Sequence, residues 1–349
     1  MICAIDFGSC WLRSAFRRED LPGRLTLFEE LSEYALLPDS EVHRQALDSR
    51  RIPFAVCDDS LLVVGNSAPQ VRWLTRLPLT PLFVDGTVPT DDAPARQVLA
   101  ALTGALLPGV RPGRNLCAIV VPGPRSSTRV TEHSSEFLRR LVQMQGYQPL
   151  IVDASEAALL ATGAGTQFTG VSVVIGGEST SICMGRLGQP LASETVAIGA
   201  NWIDSEFGRQ FEMQMYDDRG TCYLDVEAVR RWKIESGLNL RTASSDRERQ
   251  MCRLYTVLLD RVVRSIAQLL ETPAVIAALD RQRLALTVAG GAARLDGLPG
   301  LMSERLAAQG LSDRITGVRL AADPSRVVVR GALIAAELHA RCGQSGEAA

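Results

Sequence analysis

Three segments of this sequence place glycine beside small or hydroxyl-bearing residues at the end of an apolar run, the composition of a turn that can hold an anion. The first is Asp6-Phe7-Gly8-Ser9-Cys10. Gly8 admits a turn that a Cβ would resist. Backbone N–H groups and the Ser9 hydroxyl can then converge on phosphate oxygens, and Asp6 can hold a hydrated Mg²⁺ beside them. The second is Gly176-Gly177-Glu178-Ser179-Thr180, again with two glycines and two hydroxyls. The third is Thr287-Val288-Ala289-Gly290-Gly291-Ala292-Ala293-Arg294, leading into Gly297-Leu298-Pro299-Gly300. Its glycine pair lets backbone approach a flat or charged ligand, and the helical turn after it offers N–H groups. Each turn alone also reads as an ordinary loop with solvated side chains; their combination is more specific.

Other chemistries find less support. His43, His133 and His339 are widely spaced, with no cysteine or carboxylate at ligand spacing, so no metal cluster is expected. None of the eight cysteines forms a CxxC pair, and they read as reduced, mostly core residues. Ser126-Ser127 with His133 lacks the context of a nucleophile elbow. A formal net charge of -2 gives no bulk attraction to nucleic acid, so no nucleic-acid partner is expected.

The turns need elements to hold them. Apolar runs at 2–5, 61–64, 116–121, 150–152, 171–175 and 284–289 read as strands. Residues 95–107, 135–145, 251–270, 303–309 and 330–341 carry helical periodicity, with Gly146 a plausible C-cap. Strands alternating with helices imply an α/β architecture with largely parallel central sheets. The strand–turn–strand pattern of residues 4–12 returns at 173–182, so two related halves are expected to face a shared ligand. Hydrophobic residues make up 46% of the 349 and aromatics only 5%, so Leu, Val, Ala and Ile must build the core. The N-terminus begins as a strand, without a signal-peptide pattern, and no apolar run reaches the roughly 18 residues of a membrane span. A cytoplasmic location is expected.

In order and spacing, the three turns resemble the phosphate-1, phosphate-2 and adenosine motifs of the actin and heat-shock-chaperone ATPase superfamily, closest in plan to the MreB-type bacterial actins. Further segments fit that plan. Ile119-Val120-Val121-Pro122 followed by Ser127-Thr128-Arg129 looks like its strand, proline and Arg-bearing helix. Residues 150–159 look like its connecting strand and helix. Ile198-Gly199-Ala200-Asn201-Trp202-Ile203-Asp204 resembles the segment after phosphate 2. Residues 231–238 resemble the helix over the nucleotide base, with Lys233 at the family's lysine. Pro81-Leu82-Phe83-Val84-Asp85-Gly86-Thr87-Val88 resembles a motif of the MreB branch. The likeness covers nearly the whole chain, whose length leaves no room for a chaperone's peptide-binding domain.

The resemblance implies a bilobal actin-like ATPase fold, with two ribonuclease-H-like core domains and smaller inserted subdomains. Residues 1–150 would form the first lobe, with an insertion near 30–80. Residues 151–341 would form the second, with an insertion near 215–285, and 342–349 would be a frayed tail. It implies ATP or ADP with Mg²⁺ as cofactors. Gly8, Ser9, Cys10, Gly176, Gly177, Ser179, Thr180, Lys233, Gly290, Gly291, Ala292 and Arg294 would bind the nucleotide. Asp6 would hold the metal, and Asp6 and Asp153 would serve catalysis. It also implies self-association into filaments.

This sequence departs from the family at four places. Val174 stands where family members have an Asp entering phosphate 2. Glu178 replaces the third glycine of that turn, where it either repels a triphosphate or substitutes for the missing carboxylate. Asp153-Ala154 replaces Glu or Gln followed by Pro, and Arg230 stands in place of a Glu. Phosphoryl transfer depends on positioning and electrostatics, so binding is expected to outlast hydrolysis. A filament-forming or switching ATPase with weak turnover and a non-catalytic actin-fold scaffold both follow. A small-molecule kinase would need an Asp facing a sugar pocket, and none stands out. Trp11-Leu12-Arg13-Ser14-Ala15-Phe16-Arg17-Arg18 reads as the second strand of the first hairpin, or alternatively as a membrane-touching basic helix. Residues 71–77 read as a partly buried connection or as a surface for a partner or lipid.

Overall fold

A computed structural model describes residues 1–18, 23–123, 129–217, 219–280 and 282–346. Ser126, Ser127 and Thr128 lie outside the described residues, as does the end of the expected tail at 347–349.

The largely apolar runs become the central strands of two five-stranded sheets with the same plan. In the first the order is Leu25–Leu31, Trp11–Arg17, Ile2–Phe7, Leu116–Val120, Gln148–Ile151. Three strands run as an antiparallel meander, and two more add in parallel. The second sheet repeats this as Gln189–Val196, Thr180–Arg186, Gly170–Ile175, Leu284–Ala289, Ile315–Leu320, with the same strand senses. Gly170–Ile175 is buried throughout and Ile2–Phe7 nearly so, as expected of strands covered on both faces. Trp11–Arg17 is a full sheet strand, with Leu12 and Phe16 buried in the first core and Arg13 paired to Glu29 at 3.5 Å.

A layer of small residues joins the two sheets. Ala4, Ala118, Ala157, Ala158, Val174, Ala289, Ala332 and Ala336 share one cluster, to which the helices Ala154–Thr162 and Val327–Gly346 contribute. At their closest approach a Cβ on Gly331 would strike the Ala157 carbonyl. The Val327–Gly346 helix also packs against the first sheet, and Arg17 reaches its Glu337 at 2.7 Å. That helix was expected in the second lobe and to end near 341; it continues to Gly346.

In the segment near 30–80, Ala55–Cys57, Ser60–Val64, Glu33–Pro38 and Thr80–Pro81 form a four-stranded sheet. Its own small core includes Leu37, Leu47, Leu61, Val63 and Val71. Residues 71–77 hold the short helix Arg72–Thr75, whose Arg72 is paired to Asp225 at 2.8 Å. The second lobe carries the hairpin Gln214–Tyr216 with Cys222–Leu224 and the helix Val226–Glu235. The expected insertion to 285 also took in the helix Asp246–Leu270. That helix is held at its start by a Ser245–Glu248 capping box, and it buries Met251, Tyr255, Leu258 and Val262 in the cluster of the second sheet. It is core to that lobe and not an appendage. No single helix among the described residues is long and apolar enough to cross a membrane.

Candidate functional site

The two sheets place their first turns at equivalent positions. Phe7 pairs with Leu12 and Asp6 with Arg13 around the first turn; Ile175 pairs with Thr180 and Val174 with Ser181 around the second. Each turn is thus four residues, and Val174 occupies in the second sheet the position of Asp6 in the first. The parallel neighbours agree, Asp6 opposite Val120 and Val174 opposite Ala289. Glycine is required at specific points. A Cβ on Gly8 would sit 2.6 Å from the Trp11 carbonyl oxygen.

The turns meet across a cleft of about 1490 Å³. A Cβ on Gly177 would lie 2.5 Å from Cys10 Sγ and 2.7 Å from Ser9 Oγ, so the two tips touch. The third turn lines the same cleft. Gly290 has φ +95°, and a Cβ there would collide with the Ile175 carbonyl, whereas Gly291 faces open space. Asp6, Gly8, Ser9, Cys10, Asp153, Gly176, Gly177, Ser179, Lys233, Gly290, Gly291, Ala292 and Arg294 all line the cleft. Thr180 is not among the lining residues. It is buried, and its hydroxyl donates to the Ile198 carbonyl at 2.8 Å, so it braces the turn from behind.

The helix Ala200–Gln210 fixes the second turn. The backbone N–H groups of Ala200 and Asn201 donate to the carbonyls of Gly176 and Gly177 at 2.9 and 2.8 Å. Groups at a helix start that have no intrahelical partner are thus used to hold the turn. A Cβ on Gly199 would lie 2.6 Å from the Gly176 carbonyl oxygen, which keeps this approach close.

The Asn201 side chain connects both turns to the opposite wall. Its Nδ2 donates to Glu178 Oε1 at 2.6 Å, while its Oδ1 accepts from Cys10 Sγ at 3.4 Å and from Arg230 at 3.3 Å. Arg230 also reaches Glu33 of the first lobe at 2.9 Å, and Asp204 at 3.8 Å. Lys233 donates to Asp204, which is 2% exposed, at 2.5 Å. The helix carrying Arg230 and Lys233 is aligned by Trp232, stacked on Phe207 with ring centroids 4.7 Å apart. Tyr255 lines the cleft with a buried hydroxyl that has no hydrogen-bond partner among the described residues. Burial, then the nearby Asp204, pushes its pKa upward.

The two candidate catalytic acids differ. Burial raises Asp6 to about 6, against a smaller lowering by Arg13. The Asp153 carboxylate caps the helix Ala154–Thr162, accepting from the Ser155 N–H at 2.8 Å, the Ser155 hydroxyl at 2.5 Å and the Glu156 N–H at 3.4 Å. Its first task is therefore structural. Among the described residues no group of three or more His, Cys, Asp or Glu is placed to hold a metal. A single carboxylate such as Asp6 suits Mg²⁺ only as that ion is held beside phosphates, through water and phosphate oxygens. The open space over Gly291 and the unpartnered Tyr255 hydroxyl fit a polar, flat ligand. Asn201, Glu33 and Tyr255 were not among the expected site residues. Asn201 lies within a motif noted in the sequence, but only the fold shows that its side chain spans the turns.

The model of one protein family, described as volactin, matches residues 1–336. No curated protein sequence matches the chain. Among solved structures, the MamK double helical filament superposes with a TM-score of 0.68 at 19% identity, over 96% of this chain and 98% of that one. MreB 5 of Spiroplasma citri bound to AMPPNP gives 0.68 at 14% identity, over 99% and 98%. The ethanolamine utilization protein EutJ of Carboxydothermus hydrogenoformans gives 0.52 at 18%, over 95% and 89%. The likeness establishes the fold as the bilobal, actin-like one, with two ribonuclease-H-like cores and smaller insertions.

Proposed function

We propose, from the premise that this chain belongs to the volactin family, that its cleft binds an adenine nucleotide, that binding sets the angle between the lobes, and that the chain self-associates into filaments. The observation that supports this most is the pair of register-matched turns touching across one cleft, with Gly290 and Gly291 in the same cleft. Gly8, Ser9, Cys10, Gly176, Gly177 and Ser179 would surround the phosphates. Gly290, Gly291, Ala292, Arg294, Lys233 and Tyr255 would take the nucleoside end. Asp6 would hold Mg²⁺ through water, and the ion would offset phosphate charge. With Val174 in the register position of Asp6 and Asp153 engaged as a cap, this chain would hydrolyse ATP slowly. MamK has been seen as a double helical filament and MreB 5 with AMPPNP, which is in keeping with this reading. We divide the lobes near residue 150, with the last helix returning to the first lobe.

A second reading, a scaffold that scarcely turns over nucleotide, is favoured by the Glu178–Asn201–Arg230–Glu33 chain, which joins the lobes through protein groups alone. Titration calorimetry with ADP and ATP, with and without Mg²⁺, paired with light scattering, tests both. The expected result is saturable binding of one nucleotide per chain and scattering that depends on nucleotide. Binding without assembly or turnover favours the scaffold, and no binding of either nucleotide overturns the nucleotide site.

A further inference from the structure

We infer that Glu178 makes the cleft selective for a nucleoside diphosphate over the corresponding triphosphate, an inference that rests on the nucleotide reading above and narrows it. Glu178 is the third residue of the second turn, as Cys10 is of the first, and the two tips touch at Gly177. Glu178 lines the same cleft, so a terminal phosphate held by both turns would lie near its carboxylate.

That carboxylate is fixed in place. Asn201 donates to it at 2.6 Å and is itself anchored to the turn through its backbone N–H and the Gly177 carbonyl at 2.8 Å. Among the described residues, two cations close to the turns are engaged by acids: Arg230 with Glu33 at 2.9 Å and Lys233 with Asp204 at 2.5 Å. A third phosphate would thus bring further negative charge beside a fixed carboxylate. Like charges placed together inside a partly dry cleft repel far more than in water, and a built-in repulsive group is an effective way to discriminate between similar ligands. A diphosphate, ending one phosphate sooner, avoids the contact.

The test uses the full chain and its Glu178→Gln variant, each titrated calorimetrically with ADP and with ATP at one Mg²⁺ concentration. Glutamine keeps the size and an oxygen to accept from Asn201, and removes the charge. The wild type is expected to bind ADP at least about tenfold more tightly than ATP, about 1.4 kcal/mol. E178Q is expected to gain about tenfold for ATP while its ADP affinity stays within about threefold, which also reports an intact site. Equal affinities in the wild type, a preference for ATP, or a substitution that moves both nucleotides alike would overturn the inference while leaving nucleotide binding standing. Failure of both proteins to bind ADP would overturn the inference together with the reading beneath it.

Discussion

Val174→Asp is expected to raise the ATP turnover number about a hundredfold at saturating MgATP. The duplicated register places residue 174 as residue 6 is placed, at the end of the central strand entering its turn and on the wall of the cleft. One lost transition-state contact is worth about 3 kcal/mol, which is roughly a hundredfold in rate. The substitution also has a structural cost. Val174 is 7% exposed and packs with Val120, Ala289 and Val328, so a carboxylate there loses most of its water. A stability loss of about 1–3 kcal/mol is expected. The protein tolerates an equally buried acid at the matching position, since Asp6 is 9% exposed. Phosphate release by folded V174D protein is the measurement; turnover no faster than wild type would show that the valine is not what limits hydrolysis.

Asp6→Asn is expected to make the protein more stable at pH 7.5 while abolishing Mg²⁺-dependent turnover. Burial lifts the Asp6 carboxyl from 3.8 to about 6 in the folded state, with Arg13 opposing. The folded protein therefore holds this proton more tightly than the unfolded chain. Stability falls as pH rises from about 4 to about 6, and the penalty is complete above that window. Two pKa units correspond to about 3 kcal/mol, so a gain of about 2–3 kcal/mol for D6N at pH 7.5 is expected, vanishing near pH 3.5. Urea midpoints at both pH values read it directly. A variant less stable than wild type at pH 7.5 would mean that contacts hold the ionised carboxylate more strongly than burial opposes it. A buried acid that costs stability on the wall of a cleft fits the pattern of a functional acid.

The strands that carry the turns were legible because they are largely apolar runs that lead into glycine, a pattern readable from local sequence. The long helix was legible from residues 251–270, and its true start at Asp246 is set by the Ser245–Glu248 capping box, a signature written in the sequence but easily passed over in a polar stretch. Asp153 belongs to the same class. Asp-Ala-Ser-Glu ahead of an apolar helix is an N-cap pattern, and the capping of this helix by Asp153 was passed over in favour of the role that the resemblance implied for it. Thr180 was assigned to phosphate contact by its type, yet the first position of a strand turns its hydroxyl inward, to Ile198. The Asn201 hub was not legible, because its contact with Cys10 arises only when two lobes meet, and its contacts with residues 178 and 230 only when the second lobe folds. The return of the final helix to the first sheet was hidden because its contacts with Ile2–Phe7 and Leu116–Val120 join segments far apart in the chain.

The two turns face each other across one cleft, and one cross-linking measurement tests directly whether a nucleotide enters between them. A Cβ at position 177 would lie 2.5 Å from Cys10 Sγ, within reach of a disulfide. Gly177→Cys, oxidised mildly, is expected to form a bond between positions 10 and 177 that is absent from the Gly177→Cys, Cys10→Ser double variant. Saturating ADP with Mg²⁺ is expected to slow the bond's formation at least about tenfold, because an occupied site holds phosphate between the two sulfurs. A cross-link that never forms would contradict the facing turns, and one that forms equally fast with and without nucleotide would contradict the site between them.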